Sequence, residues 1–149
     1  MLTVAKNMGQ LCFSQVAQLY EAEALEAEQA LYAFLREDFF PGGICCLWEE
    51  KGRYVAVLRL QPWKDGWLLD GLQTHRDHRR KGYAKALVLA SLENVNTQKV
   101  YVHIQRQNAA SIALHTACGF RKICTYATYL DGSVYYTSDT YLYANQAAD

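Results

Sequence analysis

The chain has 149 residues, no net charge at neutral pH, 51% hydrophobic residues and 20% charged residues. This length suffices for one domain with a buried core, and the composition excludes a disordered chain. A neutral chain is a poor candidate for a nucleic-acid-binding protein. Its apolar runs fall short of the roughly 18 residues that a membrane-spanning helix needs.

The N-terminus and the cysteines indicate the cellular compartment. No apolar segment with a cleavage site follows Met1, so secretion is not expected. The five cysteines are an odd number and include no Cys-x-x-Cys pair, which indicates reduced thiols and no zinc site. No linker or repeat divides the chain. We therefore expect one cytoplasmic domain, residues 1–149, monomeric or homodimeric, without a metal, nucleic-acid or membrane partner.

The spacing of apolar residues predicts the elements of the first half. Residues 2–5 suit a short strand. Apolar residues at helical spacing predict one helix over residues 11–38, which Pro41-Gly42-Gly43 ends. Two apolar runs, residues 44–48 and 54–60, are joined by a polar turn that contains a glycine, and they predict a hairpin.

The second half alternates between strand and helix patterns. The predicted elements are a strand at residues 67–74, a helix at 83–92, a strand at 99–105, a helix at 108–118, and two strands at 121–130 and 134–143. From residue 44 the order is therefore β-β-β-α-β-α-β-β, which is a mixed α/β arrangement.

The most informative segment reads Arg79-Arg80-Lys81-Gly82-Tyr83-Ala84 and links the strand 67–74 to the helix 83–92. The first N–H groups of a helix lack internal partners, and the helix dipole adds positive charge there. Gly82 lets the backbone approach a ligand closely, and three basic residues precede it. A turn of this kind binds phosphate, although a solvated helix start is the plainer alternative.

A second block supports the phosphate-binding interpretation. It reads Asn108-Ala109-Ala110-Ser111-Ile112-Ala113-Leu114-His115-Thr116-Ala117-Cys118-Gly119-Phe120. The two blocks resemble the R/Q-x-x-G-x-G/A and N-x-x-A/S-x-x-L-Y-x-x-x-G-F segments of the GNAT acetyltransferase superfamily, at the usual separation. The resemblance covers roughly residues 55–142, and His115 stands where the family usually has tyrosine.

The resemblance implies a fold and an activity. The fold is the GNAT fold, with a central, mostly antiparallel mixed sheet that is splayed at the CoA site and flanked by helices. The activity is transfer of an acetyl group from acetyl-CoA to a primary amine, by direct attack in a ternary complex. In the family the loop binds the pyrophosphate, and pantetheine pairs with backbone groups at a strand end. The implied CoA contacts are Leu72, Gln73, Thr74, Arg79, Arg80, Lys81, Gly82, Tyr83, Ala84, Asn108 and Ser111.

Asp70 is the only carboxylate in the strand 67–74. Strand alternation predicts that it shares a face with Leu68, Leu72 and Thr74. An alkylamine has a pKa near ~10.4 and must lose a proton before it attacks a thioester. A half-buried carboxylate has a raised pKa and is a better base, so we predict that Asp70 accepts or orients the amine proton. A structural Asp that pairs with a neighbouring Arg is the alternative.

His115 occupies the place of the tyrosine that protonates the CoA thiolate in the family. Imidazolium, with a pKa of about 6.5, is a stronger acid than a phenol, so we predict this role for His115. Alternatively, His115 only packs in the helix face, and Tyr126 or Tyr129 protonates the thiolate. Cys118 would suit a covalent route, but its place at the end of an amphipathic helix favours packing.

The acceptor and two rival functions stay open. The chain has glutamates on its N-terminal helix and eleven tyrosines, which suit the binding of a cationic or aromatic amine. Alternatively, the glutamates form a solvated helix face and the aromatic residues belong to the core. A small-molecule amine is favoured over a peptide amine. A catalytically silent acyl-CoA-binding module and a small nucleic-acid-binding domain at residues 76–81 are the rivals.

Overall fold

The computed structural model describes residues 1–95, 99–129 and 131–144. The helices are Phe13–Leu19 (α1), Leu25–Ala33 (α2), Tyr83–Asn94 (α3) and Ala109–Ala117 (α4), and a π-helical segment, Phe34–Phe39, continues α2. The strands are Leu2–Ala5 (β1), Ile44–Glu50 (β2), Arg53–Trp63 (β3), Gly66–Thr74 (β4), Lys99–Gln105 (β5), Arg121–Cys124 (β6), Ala127–Thr128 (β7), Val134–Tyr135 (β8) and Ser138–Ala144 (β9).

The central sheet is mixed and mostly antiparallel. Its strand order is β1-β2-β3-β4-β5-β9-β6, and β7 pairs separately with β8. In the central sheet β4 and β5 pair in parallel, and the other neighbours pair antiparallel. The predicted mixed α/β class is confirmed.

The sheet buries both of its faces because its strands carry apolar residues on both sides. Leu58 packs in a cluster with Leu87 of α3 and Phe120, whereas its neighbour Val57 packs with Val16 of α1 and with residues of the π-helical segment. Successive residues of a strand point to opposite faces, so the alternation of β3 separates the two clusters. We call the two faces the α3 side and the α1 side.

The prediction of one helix over residues 11–38 is wrong, because the chain turns between α1 and α2. Glu21 has a left-handed backbone with φ +55°. The Ala22 N–H donates to the Ala17 carbonyl at 2.8 Å, and the Glu21 N–H donates to the Gln18 carbonyl at 3.0 Å. This pair of bonds is a Schellman motif, which ends a helix. Apolar spacing continued across the turn and concealed it.

The two predicted C-terminal strands are each interrupted. The segment 121–130 forms β6 and β7, and residue 130 lies outside the described residues; the segment 134–143 forms β8 and β9. The Tyr126 carbonyl, between β6 and β7, accepts a hydrogen bond from the Thr140 hydroxyl at 2.7 Å. At this position a side-chain hydroxyl, and not a neighbouring strand, supplies the hydrogen bond to the backbone carbonyl. The strands β1 and β5 have the predicted bounds, and the remaining predicted elements are present with ends shifted by a few residues.

Among the described residues, no helix has the length and apolarity to cross a membrane. The same residues include no cluster of three or more His, Cys, Asp or Glu side chains suited to a metal ion.

Candidate active site

The sheet forks where β4 and β5 separate. Their parallel pairing runs from Gly66 opposite Lys99 to Leu69 opposite Val102. Beyond that point β4 continues along β3, and β5 continues along β9. The fork therefore begins at Asp70 on β4 and at the residue after Val102 on β5.

A bulge at Gly71 changes the direction of the side chains in β4. Asp70 is opposite Arg59, and the pairing with β3 shifts register immediately after it. Gly71 has φ +62°, and its carbonyl accepts a hydrogen bond from Tyr20 Oη at 2.6 Å. A Cβ at this position would lie 2.8 Å from both Arg59 Nε and Tyr20 Oη. The site thus requires glycine both for its backbone and for space.

The bulge overturns one expectation about the faces of β4. Leu72 packs against the α3-side cluster that contains Leu69, whereas Leu68 packs with Trp63 and Tyr101. The prediction that Leu72 shares a face with Leu68 and Asp70 is therefore wrong, since the extra residue at the bulge reverses the alternation.

A cavity of about 200 Å³ lies in the fork. It brings the two predicted catalytic residues, Asp70 and His115, to one space, although they come from β4 and α4. The residues that line it are Leu68, Leu69, Asp70, Gly71, Leu72, Val102, His103, Ser111, His115 and Tyr129.

Asp70 combines an ion pair with access to this cavity. Arg59 Nε donates to Asp70 Oδ1 and Gln61 Nε2 donates to Oδ2, both at 3.2 Å. The side chain of Asp70 is still 40% exposed. Burial raises the pKa of the Asp70 carboxyl, and the Arg59 guanidinium opposes that shift. Arg59 itself is fixed among three aromatic rings, those of Tyr20, Phe34 and Phe39, at 5.0–5.9 Å.

His115 is buried, and its hydrogen bonds define its tautomer. Its Nδ1 lies 2.8 Å from the Ser111 carbonyl oxygen and 3.2 Å from Ser111 Oγ. A carbonyl only accepts, so Nδ1 carries the proton and Nε2 carries a lone pair. That Nε2 atom is shielded from solvent and has no hydrogen-bond partner among the described residues. Burial lowers the pKa of His115, which keeps the ring neutral at pH 7.

The sequence analysis missed His103, which also lines the cavity. It is the first residue of β5 beyond the pairing with β4, and its ring lies between those of Trp63 and Tyr129. Burial, reinforced by the charge of Lys64, lowers the pKa of His103 to about 4. The register of β4 against β5 places His103 at the cavity, and that register depends on tertiary packing that the sequence pattern does not give.

A larger groove of about 600 Å³ adjoins the cavity on the side of α3 and α4. Leu72 and Ser111 line both spaces. Of the predicted CoA contacts, the groove brings together Leu72, Gln73, Thr74, Arg79, Ala84, Asn108 and Ser111, and Ala110 and Leu114 complete its lining. Arg80, Lys81, Gly82 and Tyr83 occupy the adjoining turn and helix start without lining the groove.

The turn beside this groove ends in a left-handed glycine at the start of α3. Gly82 is the N-cap of α3 with φ +83°, and a Cβ on it would meet no atom within 4 Å. The N-cap of α3 therefore adjoins open space at the Cβ position of Gly82. Arg79 Nε donates to the Thr74 carbonyl at 3.3 Å, and Arg79 Nη2 lies 3.9 Å from Glu21 Oε1. Asn108 Oδ1 accepts from the Ser111 N–H at 3.1 Å and caps α4.

A sequence model described as "Acetyltransferase (GNAT) family" matches residues 13–120. The chain belongs to the GNAT acetyltransferase family. No curated protein sequence gives a significant match.

Solved structures with the same fold span nearly the whole chain. The ribosomal-protein-S18-alanine N-acetyltransferase of Escherichia coli is 18% identical with a TM-score of 0.64, covering 97% of this chain and 94% of its own. A Bacillus subtilis acetyltransferase in complex with CoA is 13% identical with a TM-score of 0.69, covering 96% and 97%. The Vibrio cholerae spermidine N-acetyltransferase, in complex with CoA and spermine, is 16% identical with a TM-score of 0.67, covering 97% and 95%. At these identities the likeness establishes the shared fold.

Proposed function

We propose that this protein transfers an acetyl group from acetyl-CoA to the primary amine of a small molecule, by direct attack in a ternary complex. One observation carries the proposal: the cavity lined by Asp70 and His115 adjoins a groove that reaches Arg79 and Ala84, on either side of the start of α3. The test is the formation of an N-acetylated amine together with an equal amount of free CoA.

The groove residues fit the parts of acetyl-CoA. We place the pyrophosphate at Arg79 and the first N–H groups of α3, where a cation and the helix dipole both attract an anion. The pantetheine arm would lie between the end of β4, at Leu72 to Thr74, and the start of α4, at Asn108 and Ser111. This direction brings the thioester to the fork, where Leu72 and Ser111 also line the cavity.

Asp70 would take the first proton. The ammonium form of an amine has no lone pair, so one proton must leave before the nitrogen attacks. Asp70 lines the cavity, and Arg59 and Gln61 donate hydrogen bonds to its two carboxylate oxygens. Asp70 accepts or orients that proton and passes it to water, and the neutral amine is left beside the thioester.

His115 would carry the second proton. As the amine nitrogen bonds to the carbonyl carbon, it must lose one more proton, and the departing CoA sulfur must gain one. The His115 Nε2 atom is shielded in the free protein, so the step requires the ring to become accessible when the substrates bind. Its lone pair then accepts the proton from the nitrogen, and the resulting imidazolium donates it to the thiolate as the C–S bond breaks. The products are the amide and the CoA thiol, so atoms and charges balance. The neutral resting tautomer fits this shuttle.

His115→Ala is expected to lower kcat by about 100-fold, the usual size of a lost proton transfer. The dissociation constant of acetyl-CoA should stay nearly unchanged, because the ring lies at the fork and outside the groove lining. Steady-state kinetics and calorimetry measure the two quantities. Tyr126→Phe is the control, since Tyr126 is exposed and lies outside the cavity lining.

Tyr129 is the competing proton donor, because its hydroxyl-bearing ring lines the same cavity. Burial raises its pKa, so the phenol is protonated at every pH of interest. Full turnover in His115→Ala with loss of turnover in Tyr129→Phe would contradict the shuttle and assign the acid to Tyr129.

A catalytically silent acyl-CoA-binding module is the less favoured function. Such a module needs only the groove, whereas this chain also brings a carboxylate and a histidine to the fork.

A further inference from the structure

Four aromatic rings form a continuous row beside the fork cavity. The ring centroids of Trp63 and His103 are 5.4 Å apart, those of His103 and Tyr129 are 4.9 Å apart, and those of Tyr129 and Tyr135 are 5.0 Å apart. The successive rings meet edge to face at angles of 71–86°. This aromatic row runs from the buried end of β3, past the cavity, to the hairpin of β7 and β8.

The outer end of the aromatic row is open to solvent. Tyr129 is 40% exposed and Tyr135 is 50% exposed. Tyr129 belongs both to the cavity lining and to the row, so the exposed aromatic surface is continuous with the cavity. If the amino group of a ligand reaches Asp70 from the α1 side, the rest of that ligand would contact these rings.

The charged side chains around the cavity can pair with only one ammonium group of a bound amine. Asp70 is the one acidic side chain among the described residues that line the cavity, and it is already paired with Arg59. His103 and His115 are neutral at pH 7, because burial lowers both pKa values. At the inner end of the row, Lys64 Nζ lies 4.3 Å from the centre of the Trp63 ring. A second ammonium group would find no carboxylate in this lining.

Resting on the proposed function, we propose that the acceptor is a small primary monoamine whose amino group is joined by a short linker to an aromatic or apolar group. The amine lies at Asp70, and the aromatic or apolar group packs against Tyr129 and Tyr135. Aromatic rings bind such a group through apolar burial and edge-to-face contacts. Polyamines and aminoglycosides are disfavoured, since their further cations would lose hydration without gaining a partner.

Matched amines test this substrate class on the full-length protein. Hexylamine and 1,6-diaminohexane have the same carbon chain and differ by one cation. The third amine, 2-phenylethylamine, has an aromatic ring joined to its amino group by a two-carbon linker. We expect kcat/KM for 2-phenylethylamine and hexylamine to exceed that for 1,6-diaminohexane by about tenfold or more. The readouts are free-thiol release and the mass of the acetylated amine.

Two variants of the hairpin test the aromatic row itself. Tyr135→Ser should lower kcat/KM for 2-phenylethylamine by about tenfold, with the KM for acetyl-CoA unchanged. Tyr136→Ser is the matched control, because Tyr136 directly follows β8 and is 70% exposed, and its ring lies 6.3 Å from that of Tyr126, outside the row. The control should retain the parent kcat/KM.

The outcomes separate this inference from the proposed function. Acetylation that prefers 1,6-diaminohexane or spermidine overturns the inference and leaves the acetyltransferase in place. The inference is also overturned if Tyr135→Ser changes the molecular mass in light scattering but not the kinetics, because the hairpin would then be a contact between copies of this chain. It is likewise overturned if no small amine is acetylated and only a peptide with an aromatic N-terminal residue is. Tight acetyl-CoA binding without acetylation of any amine overturns the proposed function and the inference together.

Discussion

Arg79→Glu is expected to weaken acetyl-CoA binding by about 100-fold. The parent side chain lines the groove, where it contacts the Thr74 carbonyl and Glu21, beside the proposed phosphate site. The substitution removes a charge-assisted hydrogen bond of about 1.5–3 kcal/mol and places a negative charge beside the pyrophosphate. Calorimetric titration with acetyl-CoA measures the effect. Arg76→Glu is the control, because Arg76 lies in the same loop but lines a different depression with Gln18 and Glu23.

Gly82→Val is expected to weaken binding by about tenfold or more, since a branched side chain at the N-cap of α3 obstructs approach to its first N–H groups. The substitution also strains a backbone with φ +83°, so a matched control is needed. Gly52, in the turn between β2 and β3, has φ +77° and likewise no atom within 4 Å of its Cβ position. Gly52→Val should carry the same local cost, about 1–2 kcal/mol, and bind acetyl-CoA normally.

The loss of affinity must therefore be specific to the groove. If Arg79→Glu and Gly82→Val remain folded and bind acetyl-CoA as tightly as the parent protein does, the phosphate site has been misplaced. An equal loss in Arg76→Glu would point to general electrostatics instead of a built site.

Asp70→Asn is expected to lower the rate most at low pH, by about 100-fold or more, which is the range for a lost general base. Asparagine is nearly isosteric but cannot accept the proton of the amine. The effect should shrink as the pH approaches the pKa of the amine, where the neutral form needs no base. In the parent protein burial raises the pKa of Asp70, so its base function should be lost, as the pH falls, at a pH above the ordinary value of 3.8 for a carboxyl.

Asp65→Asn serves as the control for this pH profile. Asp65 lies in the turn between β3 and β4, bonded to Tyr101 and Lys99 and away from the cavity. Its variant should keep the parent pH–rate profile, and both variants should keep the parent affinity for acetyl-CoA. An unaltered profile in Asp70→Asn would exclude Asp70 as the base and leave that task to water.

The parts of the site that depend on local chemistry could be predicted from the sequence. Gly82 after three basic residues predicts a glycine turn that opens a helix, and Asn108 predicts the start of the next helix; both helix starts are present. The element order from residue 44 predicts the mixed α/β class, because apolar spacing along the chain distinguishes strands from helices. The placement of Asp70 and His115 at one cavity follows once the two elements are packed.

The parts that depend on distant contacts could not be predicted in the same way. The bulge at Gly71 rests on hydrogen bonding by Tyr20 and on the space taken by Arg59, both far away in the chain. It reverses the faces that simple alternation assigns to the end of β4. A glycine inside a strand does indicate a bulge, and that signal was present in the sequence. His103 becomes visible only through the register of β4 against β5.

The most direct test of the central claim is a balanced product measurement with 2-phenylethylamine, hexylamine and 1,6-diaminohexane. Purified protein, acetyl-CoA and one amine are mixed at pH 8, and free CoA thiol and acetylated amine are quantified in the same samples. An acetyltransferase that works by direct attack should produce amide and thiol in equal amounts, and neither product should accumulate without the amine. Thiol release without amide, or acetyl-CoA binding without either product, would contradict the proposed function.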